Sequence, residues 1–464
     1  MTRPILVNGF KAAMVTHTSA GLWRHPDSRA RRYRELDFWI ETARTLERFD
    51  FDALFIADSL GAADVYQNSP DQALREGLQT PSADPSLAIS AMAAVTERLG
   101  FGLTLNTSFN RPYELARRLS TLDHFTDGRI GWNVVTGLVP SAMAGLGIDP
   151  AVSHDERYDI AEEFMEVVYR LWEGSWADDA VIADVASGVY VEPRRVRPIE
   201  HHGRYFDVTG IHLAEPSPQR TPLIFQAGSS ARGKRFSARH AEVVFVSAQR
   251  PDVLRRTVDD IRAQAAEAGR DPGSLRFIST LTVVTGETER EAQAKHEEYL
   301  RLTSVEGNLA RLASTIQVDF GAVDLDEPLE FAETPGIQSV LANFTKLDPS
   351  RRWTPRQVAE YMALAGFGPF VVGSPAQVAD ELERWCEQAG IDGFNLVDII
   401  PGQSFREFGE LVMPELVARG RRPDPASGKT GLTLRERIFG GGMARVRDDH
   451  PAARHRYPDD DAIG

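Results

Sequence analysis

Cysteine is almost absent from this chain: Cys386 is the only one in 464 residues. An intrachain disulfide is therefore excluded, and so is a metal site built on several thiolates. Glu383-Arg384-Trp385-Cys386-Glu387 has the pattern of an amphipathic helix, so the thiol reads as a small core group rather than a nucleophile. Long apolar runs are missing as well. None approaches the roughly 20 residues of a membrane-crossing helix, and Met1 to Phe10 carries one basic residue and then strand character, not a signal-peptide layout. A cytoplasmic protein without a membrane partner is expected. Basic residues are outnumbered, 52 Lys and Arg against 67 Asp and Glu, for a formal charge of −15. That balance argues against a nucleic-acid partner, because phosphate backbones are held by clustered cations. The chain also lacks an internal repeat, a GxGxxG fingerprint, an HExxH pair, a GxSxG elbow after a strand and a His-x-His on the first strand. Rossmann cofactor binding, zinc or serine hydrolysis and metal-dependent barrel chemistry thus have no motif to stand on. His201-His202 falls in a loop without a carboxylate set, so no metal is expected.

What is present is alternation. Apolar, β-rich runs recur at Ile5 to Phe10, Ala53 to Ala57, Phe101 to Leu105, Ile130 to Val135, Leu223 to Ala227, Val243 to Ser247, Phe277 to Val284 and Gly393 to Val397. Helical patterns separate them, including Tyr33 to Arg48, Pro85 to Arg98, Pro112 to Phe125, His154 to Trp172 and Ala231 to His240. Strands alternating with helices form right-handed βαβ units, and eight such units close an α/β fold of the (β/α)8 TIM-barrel type. An open doubly wound sheet is the alternative. Two stretches exceed a minimal barrel and read as insertions, about 175–222 after the fourth helix and about 304–373 before the eighth strand. The barrel is assigned to residues 1–420, and 421–464 to a C-terminal arm that crosses a neighbour or is partly disordered.

Leu119 to Gly137 holds a helix end, a Thr126-Asp127-Gly128 turn and a buried strand that runs into polar residues. Asn133 and Thr136 stand at its carboxyl end, where parallel α/β folds bind ligands. Asp58 closes the second strand, as a helix cap or as an acceptor for a ligand N–H. Thr104 and Asn106 end the third strand and alternate to one side. Ser153 followed by Glu156 is a capping-box pattern, which makes His154 the first helical residue, with Tyr158 one turn later on the same face. Free backbone N–H groups at such a start favour an anion, and these side chains suit a phosphate better than a metal. Gln226-Ala227-Gly228-Ser229-Ser230-Ala231-Arg232-Gly233 turns the fifth strand straight into a helix and offers a second anion site. It is not a Walker loop, because Lys234 is wrongly placed.

Six segments occur in order: Gly21-Leu22-Trp23-Arg24-His25-Pro26, Phe55-Ile56-Ala57-Asp58, Ala116 to His124, Gly131 to Thr136, His154-Asp155-Glu156-Arg157-Tyr158 and Glu215 to Pro222. Together they resemble the nitrilotriacetate monooxygenase group of the bacterial luciferase-like flavin enzymes, from about Ile5 to Arg419. The resemblance implies a luciferase-like barrel and a two-component enzyme. FMN would arrive reduced, as FMNH2, from a separate NAD(P)H-dependent flavin reductase and react with O2, and its C4a-hydroperoxide would oxygenate a small organic substrate. Asp58, Thr104 and Asn106 would line the flavin, and His154, Tyr158 and Ser229 or Ser230 would hold its phosphate. Asn133 and Thr136 would approach the ring as catalytic residues, with His17, just after the first strand, nearest the reacting oxygen; a structural turn histidine is the other reading of His17. Such chemistry asks the protein for orientation and a water-poor chamber more than for acids and bases.

Within the group, the N-terminal pattern and Gly366-Phe367-Gly368-Pro369-Phe370 are most similar to the sulfide-oxidising branch, and next to the alkane branch. Met14 and Leu138 stand where the alkane branch has a cysteine and a histidine. The expectation is a monooxygenase for a small, mainly apolar substrate, with oxidative C–S cleavage ahead of alkane hydroxylation or C–N oxidation. A deazaflavin-dependent oxidoreductase and a non-catalytic flavin-binding protein are the readings from other classes. The resemblance also implies a homodimer or homotetramer.

Overall fold

The computed structural model describes residues 3–137, 139–148, 152–228, 230–330, 344, 352–424 and 430–458. Its first four strands are β1 (Leu6–Ala12), β2 (Ala53–Ala57), β3 (Gly100–Asn106) and β4 (Ile130–Val135). Two antiparallel hairpins follow, β5 (Val181–Asp184) with β6 (Val189–Val191) and β7 (Ile199–His202) with β8 (Asp207–Gly210). Then come β9 (Leu223–Gln226), β10 (Val243–Phe245), β11 (Arg276–Thr285), β12 (Phe370–Gly373) and β13 (Gly393–Val397). Parallel pairing runs β1-β2-β3-β4-β9-β10-β11-β13 and returns to β1, which closes an eight-stranded barrel. β12 extends the far end of β11, with Thr282 opposite Phe370.

The helices are α1 (Leu36–Arg48), α2 (Asp71–Glu76), α3 (Ser86–Ala93), α4 (Pro112–Phe125), α5 (Pro140–Leu146), α6 (His154–Tyr169), α7 (Ala231–His240), α8 (Pro251–Glu267), α9 (Glu289–Leu302) and α10 (Val305–Ile316). The helical pattern expected to run to Arg98 stops at Ala93. The Glu47 carboxylate explains this, because it accepts the backbone N–H groups of Glu97, Arg98 and Leu99 at 2.8, 2.9 and 2.9 Å and draws them out of helical pairing. The described residues of the later insertion are largely helical. There α10 and the helix Pro355–Ala365 bury a second apolar cluster with Tyr66, Leu78, Phe344 and Trp353. Among the described residues no helix is long and apolar enough to cross a membrane.

Register decides what fills the barrel. Phe10, Phe55, Gly102 and Gly131 lie side by side on successive strands. Phe55 meets Phe10 and Phe245 at ring-centroid distances of 5.7 and 4.3 Å, and Phe225 stacks on Phe245 at 5.4 Å. The glycines make room for these rings: a Cβ on Gly102 would fall 2.8 Å from Phe55, and one on Gly131 only 2.4 Å from Phe225. An aromatic floor therefore separates a polar carboxyl-terminal mouth from an apolar base. Leu434 and Ile438 of the short helix Leu434–Phe439 join Leu6, Ala53, Leu223 and Val243 in that base.

The C-terminal segment thus packs under its own barrel. Arg435, with no exposure, grips Glu242 at 2.7 and 3.0 Å and the Thr221 carbonyl at 2.8 Å. Arg422 reaches Asp52 and Arg437 reaches Asp50, each at 2.6 Å. These arginines find their acids on the chain that carries them, which is why the segment docks here. His201 and His202 also differ from the loop expected of them. They lie on β7, each beside a carboxylate, Glu163 at 3.1 Å and Asp207 at 2.9 Å.

Candidate active site

Two groups of polar side chains face each other across the carboxyl ends of β3, β4 and β9. The first sits over the aromatic floor. Strand alternation aims Thr104, Asn106 and Asn133 inward, and all three are buried. Thr104 Oγ1 donates to the Ile56 carbonyl at 2.9 Å and accepts from Asn133 Nδ2 at 3.0 Å. Asn133 Oδ1 is left buried with no partner among the described residues, a cost that a ligand N–H would remove. Asn106 is spent on the rim instead: its amide donates to the Gly137 carbonyl and accepts from Ser108 N–H, both at 2.7 Å. Asp58 follows β2, half-buried, with its carboxyl pushed up to about 6 by burial and by Asp84 nearby.

His17 lies in the turn after β1, half-buried, with its ring 5.1 Å from that of Phe10. Burial, then Arg311 and Lys11, lowers its pKa to about 3, so the imidazole is neutral. The turn is braced rather than loose. Met14 bridges to Ser82 and Thr16 to Leu78, and Lys11 is held by Asp398 at 2.7 Å. Met14 is buried and lines the same cleft as Val15 and His17.

The second group is gathered by the starts of α6 and α7. Ser153 caps α6 by accepting Glu156 N–H at 3.1 Å, but the expected capping box is only half formed. The Glu156 carboxylate turns outward to Arg204 at 3.2 Å and to the Tyr205 hydroxyl at 3.4 Å. His154 is the first helical residue, its ring 5.2 Å from that of Tyr158. Ser230 caps α7 by accepting Gly233 N–H at 3.0 Å, and its hydroxyl lies 3.5 Å from His154 Nε2. The Tyr158 hydroxyl shares hydrogen bonds with Thr136, Gln226 and Ser230, and burial pushes its phenol up.

The structure therefore brings together His154, Tyr158 and Ser230, and Ser229 lies outside the described residues. Thr136 was expected beside Asn133 at a ring. It stands instead with Tyr158, because Asn133 and Thr136 are three apart and alternation sends them to opposite sides. Gln226 opens the segment read as a second anion site but was given no role of its own; its Oε1 accepts Gly228 N–H at 2.6 Å and the Ser237 hydroxyl, and its side chain meets the Tyr158 hydroxyl. A glutamine closing the apolar strand Leu223–Gln226 was the available signal. At the centre two glycines touch. A Cβ on Gly233 would fall 2.7 Å from the Tyr158 hydroxyl and 2.8 Å from Gly228 Cα. The result is a shallow cradle of backbone N–H groups and hydroxyls at a helix start, suited to a phosphate. Cys386 takes no part: it sits in the helix Pro375–Ala389 with its thiol pushed up to about 12 by burial.

A barrel whose carboxyl-terminal mouth joins a phosphate-type cradle to a partly apolar chamber defines a class. The family model for luciferase-like monooxygenase matches residues 12–393, and the chain belongs to that family. It is a monooxygenase by family and by its relatives. The chain is 47% identical to the dimethyl-sulfide monooxygenase of Hyphomicrobium sulfonivorans, over 98% of this chain and 94% of that protein. It is 44% identical to the long-chain alkane monooxygenase of Geobacillus thermodenitrificans, over 98% and 99%. Among solved structures, a riboflavin lyase with modified FMN and its substrate riboflavin is 37% identical with a TM-score of 0.90, over 98% of this chain and 100% of that one.

Proposed function

We propose that this enzyme takes reduced FMN from a separate flavin reductase and uses O2 to cleave a C–S bond in a small organosulfur compound. The observation that carries the cofactor is the cradle at Gly228 and Gly233, where backbone approaches the Tyr158 hydroxyl too closely to admit a Cβ. Its neighbours fit FMN. Ser230, His154 and Tyr158 would hold the phosphate, and the unpartnered Asn133 Oδ1 would accept a ring N–H. Asn106 and Thr104 fix the rim and the Asn133 rotamer. Bound reduced FMN supplies O2 activation, giving one oxygen atom to the substrate and the other to water.

The chain's own part is positioning. Neutral His17 offers one donor and one acceptor beside the reaction chamber, while Met14, Val15 and Phe10 keep water scarce there. A carboxyl near Asp58's pKa of about 6 can hold or release a proton close to neutral pH. For a dialkyl sulfide, oxygen inserted into the C–H beside sulfur yields a hemithioacetal, which collapses to a thiol and an aldehyde. Dimethyl sulfide, O2 and reduced FMN thus balance to methanethiol, formaldehyde, water and oxidised FMN. The 47% identity to a dimethyl-sulfide monooxygenase favours this over alkane hydroxylation. A homodimer or homotetramer in the cytoplasm completes the proposal.

The test supplies FMN reduced by a generic flavin reductase, isotope-labelled O2, and either volatile sulfides or medium-chain alkanes. Thiol release with labelled aldehyde is the expected result. Labelled alcohol from alkanes alone would overturn the substrate class. Substrate oxidation without label would point to hydride transfer, and flavin binding without turnover to a carrier.

A further inference from the structure

Among the described residues, six of the seven buried arginines are satisfied in one of two ways. Arg220, Arg421, Arg422 and Arg435 face carboxylates. Arg129 and Arg270 instead spread their N–H groups over several neighbouring oxygens each. Arg311, on α10, follows neither pattern. It is 6% exposed, its one hydrogen bond goes from Nη1 to the Thr18 carbonyl, and no carboxylate pairs with it among the described residues. Its guanidinium lies over the Phe367 ring at 5.2 Å, and burial lowers its pKa to about 10, so it stays charged. Asn308 lies one turn earlier on the same face of α10, 1% exposed, with both amide atoms buried and unpartnered. Thr18 lines one cleft with His17, Met14 and Phe10, and Arg311 both bonds the Thr18 carbonyl and is close enough to act on the His17 imidazole, which sets its guanidinium beside the proposed reaction chamber.

A buried cation without an anion is expensive, and a buried amide with two orphaned atoms adds to the cost. Arginine's planar fork is the side chain best matched to carboxylate or sulfonate oxygens. We propose that Arg311, assisted by Asn308, is a substrate-binding residue that recognises an anionic oxygen head, so that the preferred substrate is a thioether carrying a carboxylate or sulfonate. This rests on the C–S-cleaving reading of the site and narrows it. The apolar wall at Met14 and Phe10 receives the alkyl–sulfur end, and the guanidinium receives the charged end.

The experiment compares two molecules of one shape, (methylthio)acetate and isobutyl methyl sulfide, in which two methyl groups replace the carboxylate oxygens. Methanesulfonate serves as a non-reacting competitor. With the full-length protein, thiol release under reduced FMN and O2 gives kcat/KM, and melting-temperature shifts without flavin give binding. The wild type is expected to favour the anion at least about tenfold. Arg311→Met should lose on the order of tenfold to a hundredfold on the anion and leave the neutral sulfide nearly unchanged. Arg311→Lys should keep part of the preference. Asn308→Asp places a carboxylate one turn from Arg311, satisfies the charge internally and should abolish anion binding, which keeps the test open should Arg311→Met not fold. Equal losses on both sulfides would mark Arg311 as a brace for the Thr18 turn and overturn the inference, as would a wild type indifferent to the charge. Loss of reduced-FMN affinity in Arg311→Met with the anion preference intact would overturn it too. If no sulfide is oxygenated yet the anions raise the melting temperature of the wild type and not of Arg311→Met, the C–S reading falls and the anion subsite stands.

Discussion

Replacing Gly233 by Ala sets two physical effects against each other. Gly233 lies in the first turn of α7, and in a helix Ala is favoured over Gly by about 0.5–1 kcal/mol, so local propensity alone makes the substitution stabilising. The cradle reverses the sign. The new Cβ would stand 2.7 Å from the Tyr158 hydroxyl and 2.8 Å from Gly228 Cα, far inside the 3.4 Å at which ordinary van der Waals distances begin. Tyr158 is 5% exposed and tied to Thr136, Gln226 and Ser230, and Gly228 Cα is backbone, so neither yields cheaply. The start of α7 must retreat, carrying Ser230 away from His154 and parting the donors that would converge on a phosphate. Breaking one charge-assisted hydrogen bond costs about 1.5–3 kcal/mol, or roughly tenfold to a hundredfold in affinity. Anaerobic titration of the two reduced flavins, followed by tryptophan fluorescence, separates the phosphate from the ring. Reduced FMN should weaken by that factor and reduced riboflavin, which has no phosphate, should not. An equal loss for both flavins, or unchanged FMN affinity, would refute the cradle.

Three further outcomes follow from other parts of the molecule. With its pKa lowered from 6.5 to about 3, His17 contributes stability in full above pH 6.5 and loses it as pH falls toward 3, because the unfolded chain takes up the proton first. His17→Gln should therefore flatten the acid limb of a denaturant-midpoint profile, and an imidazole NMR titration centred near 6.5 would contradict the burial argument. Removing Arg435, as Arg435→Met, leaves the buried Glu242 without its cation, holding only the Ile224 N–H, and should cost about 3–5 kcal/mol in urea unfolding; the double variant Arg435→Met/Glu242→Leu should recover part of that, and additive losses would speak against the pair. Gly131→Ala drives a methyl to 2.4 Å from Phe225 and should cost about 1–3 kcal/mol. Phe225→Leu in the same chain should relieve it in a thermal melt, and a melt of Gly131→Ala matching the wild type would show that the aromatic floor is not packed as described.

The eight barrel strands were legible because parallel strands covered on both faces read as apolar runs, as Ala53–Ala57 and Val243–Phe245 do. β12 was not. Phe370–Gly373 is a short piece lying beyond the barrel, and its pairing with Thr282–Thr285 is a tertiary event. Helix ends failed where a distant group intervened: Glu47 stops the Pro85 segment from a position no local pattern connects to it. The gathering of the candidate residues His154, Tyr158 and Ser230 was readable because a helix start announces free N–H groups. The partition of Asn133 from Thr136 was also written in the chain, since an odd spacing on a strand means opposite faces. Arg311 was not readable at all. An arginine in Val305–Ile316 looks like any solvated helix cation until the fold is seen to bury it and leave it a single backbone acceptor among the described residues.

The placement of Arg422, Arg435 and Arg437 beneath the barrel has a consequence for the order of assembly. Asp50, Asp52 and Glu242 emerge from the ribosome long before the arginines that neutralise them, so every earlier stage of synthesis leaves these acids without their buried partners. Leu434 to Phe439 packs under the base of the closed barrel, so Glu242 gains Arg435 as its buried partner only once that helix has been made. That helix fastens the base of the barrel, at the end opposite its polar mouth. A chain cut short just before it should stay open and be cleared by proteases, even though every strand and every proposed cofactor ligand is already in its sequence.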